Sequence, residues 1–203
     1  MNLFLKTKRE IYSESGTFVI DGNGIVQCFE PAENNPFIEE KTELKDNYSH
    51  YTGRSIRTFI VPEGVKGFVS DFMRGVRVTE CFELPEGLIS IGNHSFDIDT
   101  RVSCIFANCN LPSVVIPQSV QEIGIFAFGH SHIKSLQLPP SLHSPYGRQF
   151  KDSYIGTLRL PKEWKGMVTL DKHNNLHRSG ILNSNDFGYL GWPSTHVERL
   201  EFY

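Results

Sequence analysis

Five prolines follow a branched apolar residue, at Val61-Pro62, Leu84-Pro85, Ile116-Pro117, Leu138-Pro139 and Leu160-Pro161, and the same apolar offsets follow each of them. Three residues on stand Val65, Leu88, Val120, Leu142 and Trp164, and six on stand Phe68, Ile91, Ile123, Pro145 and Met167. Eleven on, the first four copies give Met73, Phe96, Phe128 and Phe150. A period of this length means that the chain repeats one small unit that cannot hide its apolar face alone. Stacking the units hides it.

Each proline is preceded by an apolar-x-x-apolar-x-apolar segment: Ile56, Phe59 and Val61; Leu111, Val114 and Ile116; Ile133, Leu136 and Leu138; Ile155, Leu158 and Leu160. Thr79, Phe82 and Leu84 nearly repeat it. The last two apolar residues of each copy share one face of a strand. Proline has no amide hydrogen to donate, so it closes the strand where the ladder needs none, and a less regular return limb follows. The expected fold is an α/β or mainly β solenoid of about 22-residue coils with parallel strands. Intervals between prolines are 23, 32, 22 and 22 residues, so the second holds an insertion near residues 97–106, with Asp97 to Ser103 bulging as a loop.

The run Ile116, Pro117, Val120, Ile123, Gly124, Ala127 and Phe128 resembles the BspA-like type of leucine-rich repeat, and Leu84, Pro85, Leu88, Ile91, Gly92, Ser95 and Phe96 form a second good copy. Weaker copies begin at Pro62 and Pro139, and the resemblance covers roughly residues 56–167. It implies a short right-handed superhelix and a role in protein recognition, often at a bacterial surface. Phe68-Val69 and Pro145-Tyr146 replace Ile-Gly in the first and fourth copies, and Lys172 stands where the fifth should carry an aromatic residue. Those coils are expected to be irregular.

Residues 1–55 and 168–203 are expected to cap the repeats at 56–167, because an open end would leave an apolar layer in water. Thr17–Ile20 and Gly24–Phe29 flank the turn-forming Asp21-Gly22-Asn23 and read as a β-hairpin within the N-terminal cap. From Glu30 to Tyr51 six acidic residues stand against two lysines, which reads as a helix or a loop. Val197, Leu200 and Phe202 reproduce the strand pattern and predict a final parallel strand, led in by Trp192-Pro193. An exposed strand there invites pairing with another edge, hence a homodimer through the C-terminal edge.

A hydrophobic fraction of 39% in 203 residues supports a folded core, and a formal net charge of -3 offers no broad attraction for nucleic acid or an acidic membrane. Met1 to Leu5 are followed at once by Lys6, Lys8, Arg9 and Glu10, so the start lacks the apolar stretch of a signal peptide. The expected location is cytoplasmic, or the cell surface or exterior if a leader has been removed. Membrane insertion is not expected, since no stretch reaches the roughly 20 apolar residues of a spanning helix. Cys28, Cys81, Cys104 and Cys109 read as reduced, mostly buried thiols, with a local Cys104–Cys109 bridge as the alternative.

Candidate chemistry is sparse. Gly129-His130-Ser131-His132-Ile133 imitates a nucleophile elbow but ends in Ile where Gly is required, and reads as a surface turn. His130 with His132, and His173 with His177, lack a third metal ligand and read as exposed loop histidines. Asp97-Ile98-Asp99-Thr100 lacks the Gly and closing Glu of a calcium loop, and Cys104 with Cys109 lacks the second pair of a zinc site. No catalytic residue, cofactor or metal is expected.

Strand residues that point away from the core line up across a sheet. One such column is Ile60, Glu83, Val115, Gln137, Arg159 and Glu201, and its neighbour is Thr58, Cys81, Ser113, Ser135, Thr157 and Arg199. Neither carries a row of aromatics or of cations. The leading expectation is therefore a non-catalytic module that binds a protein on this face. The alternatives are a bacterial surface adhesin for host protein or carbohydrate, and, furthest from the pattern, a hydrolytic or metal-dependent enzyme built from His130, His132 and the insertion.

Overall fold

The computed structural model describes residues 8–39, 51–92, 104–142, 149–178 and 194–203. In chain order the strands are β1 (Arg9–Ser13), β2 (Gly16–Ile20), β3 (Ile25–Pro31), β4 (Ile38–Glu39), β5 (Arg54–Ile60), β6 (Gly67–Phe68), β7 (Arg77–Glu83) and β8 (Ser90–Ile91). Then come β9 (Asn110–Val115), β10 (Glu122–Ile123), β11 (His132–Gln137), β12 (Tyr154–Leu160), β13 (Val168–Leu170), β14 (Leu176–Arg178) and β15 (His196–Phe202). The helical element among the described residues is a single 3-10 turn, Lys162–Trp164. The fold is a mainly β repeat, and the α/β option falls away.

Seven strands form the principal sheet in the order β15-β12-β11-β9-β7-β5-β4. From β5 to β15 neighbours run parallel, and the short β4 closes the far edge antiparallel to β5. The prolines act as the sequence implies. The residue before three of them still joins the ladder: Val61 donates to Glu83 O at 3.0 Å, Ile116 to Gln137 O at 3.0 Å and Leu138 to Arg159 O at 3.1 Å. The residue three after the proline then closes a turn by donating to the proline carbonyl, as Leu88, Val120, Leu142 and Trp164 do. The apolar offset of three marks this turn.

On the return limbs β6 pairs parallel with β3, and β10 with β8. The N-terminal segment is larger than a hairpin. β1, β2 and β3 form an antiparallel meander, with a bulge between Val19 and Ile20, and β3 carries β6 beside it. The acidic stretch contributes strand at its start, because β3 runs through Glu30 to Pro31 and β4 follows at Ile38–Glu39. Residues 40–50 of that stretch, the insertion loop with Phe96, Asp97 and Asp99, and Pro145 and Trp192-Pro193 lie outside the described residues.

One apolar core runs from Phe18 to Val197. Val65, Leu88, Val120, Leu142 and Trp164 are buried in it, as are Met73, Phe128 and Phe150. Two expected inward positions differ. Thr79 is exposed and Val78 takes its place, because a bulge in β7 pairs Ile56 with Val78 but Thr58 with Cys81. That extra residue accounts for the 23-residue interval. Met167 is 55% exposed, because the chain leaves the coil path after Trp164 and folds into the antiparallel β13–β14 hairpin.

That hairpin and the β2–β3 turn share one design. Asp171 Oδ1 accepts the amides of His173 and Asn175 at 2.8 and 2.9 Å, and Asp21 Oδ1 accepts those of Asn23 and Ile25 at 2.8 and 3.1 Å. Asn174 (φ 61°) and Gly24 (φ 80°) supply the left-handed residue that such a loop requires. The Asn175 amide, with its side chain, His173 and His177, holds the Asp171 carboxyl well below the ordinary carboxylate range. A depressed carboxylate stabilises the fold above the unfolded-state value and loses that contribution as pH falls through the folded one. Asp171→Ala should therefore lower the Tm at neutral pH, and the gap to the wild type should close progressively below about pH 4. Thermal melts of both proteins across that range check it.

Candidate binding face

The outward columns expected from the sequence are in register within two groups of strands. Ser113, Ser135, Thr157 and Arg199 pair across β9, β11, β12 and β15, and so do Val115, Gln137, Arg159 and Glu201. At the other end Thr58 pairs with Cys81 and Ile60 with Glu83. Between the two groups β7 meets β9 through Arg77 and Asn110. Glu83, Ser113, Val115, Arg159 and Arg199 are exposed, and the other positions are half-buried. Val115 is 53% exposed, so an apolar side chain stands in the middle of the face on a strand without charge.

Toward β15 the face is tied by polar contacts. Arg159 donates to Gln137 Oε1 at 3.0 Å and lies 3.5 Å from Glu201, while its guanidinium sits 5.8 Å from the centre of the Tyr203 ring. Arg199 approaches Glu201 at 3.9 Å. Toward β5, the Cys81 thiol donates to Glu83 Oε1 at 3.2 Å, and burial together with that carboxylate pushes the thiol up to about 11. It is not a reactive thiolate.

A further column went unseen in the sequence. His132, Tyr154 and His196 pair across β11, β12 and β15 in a row of ring contacts, His132 tilted on Tyr154 with centroids 4.6 Å apart and Tyr154 stacked on His196 at 5.1 Å. The Tyr154 hydroxyl donates to Glu198, whose carboxylate raises the phenol's pKa. The available signal was the position just before the first inward residue, ahead of Ile133, Ile155 and Val197. It was masked because the residue there changes from coil to coil.

The remaining candidates resolve into structural roles. Ser131 is 2% exposed, not part of a surface turn: its hydroxyl donates to Phe106 O at 2.8 Å and accepts the Cys109 amide at 3.1 Å. Ser153 repeats this with Phe128 O at 2.7 Å and the Ser131 amide at 3.2 Å, and Thr195 donates to Phe150 O at 2.6 Å. Cys109 joins the ladder by donating to Met73 O at 3.0 Å, and burial pushes its thiol up to about 12. The four cysteines are free; Cys104 and Cys109 are buried, and Cys28 and Cys81 half-buried. Removing a rung strands a buried carbonyl and amide, so Ser153→Ala should cost about 1–3 kcal/mol. Urea unfolding followed by circular dichroism measures it.

The histidines do not converge. His132 starts β11 and His177 lies in β14, so neither is a loop residue, and His177 Nε2 lies 3.1 Å from Asp171 Oδ2. His130 Nδ1 stands 3.8 Å from Asp152 Oδ2, which also holds Lys151 at 2.7 Å. Among the described residues no three His, Cys, Asp or Glu side chains are placed to hold a metal ion, and no helix is long and apolar enough to cross a membrane.

Residues 99–170 match the family described as BspA type Leucine rich repeat region, in six copies. Over these residues the chain is similar to BspA-type leucine-rich repeats. No curated protein and no solved structure matches the chain. The BspA-type match takes in β9 to β12, whereas β5 and β7 lie outside it and yet continue the same parallel sheet. The pairing of those two strands carries the bulge, and the return limb between them carries Phe68-Val69 in place of Ile-Gly.

Proposed function

We propose that the chain is a non-catalytic protein-interaction module: a short right-handed superhelix of stacked BspA-type coils, with residues 1–55 and 168–203 as its caps, that holds a partner protein on the outward face of its parallel sheet. The observation that carries this reading is the pair of in-register outward columns crossing β9, β11, β12 and β15. Serine and threonine keep one column low, and Val115, Gln137, Arg159 and Glu201 supply apolar, amide and charged groups beside it. A recognition face of this kind rests on shape and a few anchors, not on a convergent catalytic set. The edge of β15 beyond Val197, unpaired among the described residues, is a second contact surface of the same module, and a homodimer through it belongs to the same proposal.

The face is tested on its uncharged central strand. Ser113→Arg with Val115→Arg changes two exposed side chains and should leave the melting temperature nearly unaltered. Proteins from the native host are captured on the wild type, on this variant and on Glu122→Lys, which alters the exposed end of β10 on the return limb. A partner retained by the wild type and Glu122→Lys but lost by the double variant is the expected result. Equal capture by all three overturns the assignment of the face.

A further inference from the structure

The inward column Phe59, Phe82, Val114, Leu136 and Leu158 is buried in every coil, and so are Ile116, Leu138 and Leu160 in the next. At β15 the same columns arrive at Leu200 and Phe202, which pack on the core but remain half-buried. An apolar layer that ends half-covered on an edge strand offers both surface and backbone to another strand. The first residues of that edge are taken: the β13–β14 hairpin bridges His196, and Val197 donates to Asn174 O at 2.9 Å. Beyond Val197, no strand among the described residues pairs with the outer edge of β15.

We infer that this edge joins a second copy of the chain, β15 against β15 antiparallel, about a two-fold axis through Leu200. A two-fold contact must be self-complementary, and the sequence of β15 selects the register. Centring on Arg199 or on Glu201 would set like charges directly opposite one another, which destabilises a strand pair. Centring on Leu200 sets Arg199 of each copy opposite Glu201 of the other, places Leu200 against Leu200, and ends the pairing where the hairpin begins. Arg199 can turn to the contact, since its side chain is 72% exposed and its ion pair with Glu201 of its own strand is long, at 3.9 Å. The inference rests on reading the chain as an interaction module, but it uses the edge and not the columns on β9.

Sedimentation equilibrium of the full chain, from low micromolar to near-millimolar concentration, tests it. The wild type should show a reversible monomer–dimer equilibrium. Arg199→Glu and Glu201→Arg, each altering two symmetric pairs, should each weaken the dimer roughly tenfold or more, and the double exchange should restore it. Leu200→Lys should leave only monomer, with circular dichroism confirming that it folds. Monomer at every wild-type concentration, or a double exchange no better than either single change, overturns the inference. Ser113→Arg with Val115→Arg should dimerise as the wild type does, so failure of the face and failure of the edge are told apart.

Discussion

Replacing Phe106 with alanine is expected to remove about 3–5 kcal/mol of stability, against about 5–15 kcal/mol for a whole domain. Phe106 stands midway along a continuous run of rings: Phe18 to Phe59 at 5.5 Å, Phe59 to Phe82 at 5.7 Å, Phe82 to Phe106 at 5.1 Å, Phe106 to Phe128 at 5.4 Å and Phe128 to Phe150 at 5.3 Å. It also meets Phe68 edge-on at 5.4 Å and Phe59 at 6.4 Å. Truncation therefore opens a cavity lined by rings from several coils, and the backbone ladder prevents those coils from collapsing into it. Neighbouring coils in a repeat array hold one another by such interfaces, so the loss falls on the coupling between the two halves. Urea titration should show a much lower midpoint, while Met167→Ala, at an exposed position, should move it by no more than about 0.5 kcal/mol.

What the sequence made legible follows from what repeats in it. The turn-closing residues after the prolines and the inward residues Phe59, Leu136 and Leu158 recur at fixed offsets, and those offsets mark the strand positions and the outward columns. The polar devices were harder to see because different residue types do the same work. The left-handed position ahead of β5, β7, β9, β11, β12 and β15 is filled in turn by Gly53, Gly75, Asn108, His130, Asp152 and Ser194, with no letter common to all. The buried ladder likewise uses a thiol at Cys109 and hydroxyls at Ser131, Ser153 and Thr195. Residues Thr79 and Met167 misled for a different reason: a bulge and a departing hairpin change the backbone path, and no side-chain period records that.

The outward face depends on one residue without a side chain. Gly156 lies in β12 between Lys134 and Glu198, and a Cβ built there would stand 2.6 Å from the Lys134 carbonyl oxygen and 3.7 Å from Glu198 Oε2. The neighbour at 2.6 Å is backbone, held in the β11–β12 ladder, and cannot rotate away as a side-chain tip would. Gly156→Val must therefore push the two strands apart locally, at a cost of about 3 kcal/mol or more, the upper part of the range for overpacking. The damage should be directional. Tyr154 and Glu198, joined across the bare Gly156, would separate, and the stack of His132, Tyr154 and His196 would open, while the β5–β7 pairing and the N-terminal meander keep their contacts. Hydrogen exchange read peptide by peptide should show faster exchange in β11, β12 and β15 with little change in β1 to β3. Uniform loosening of the whole chain would instead mean that the coils unfold as one unit, and that the face at β11, β12 and β15 has no independent stability to lose.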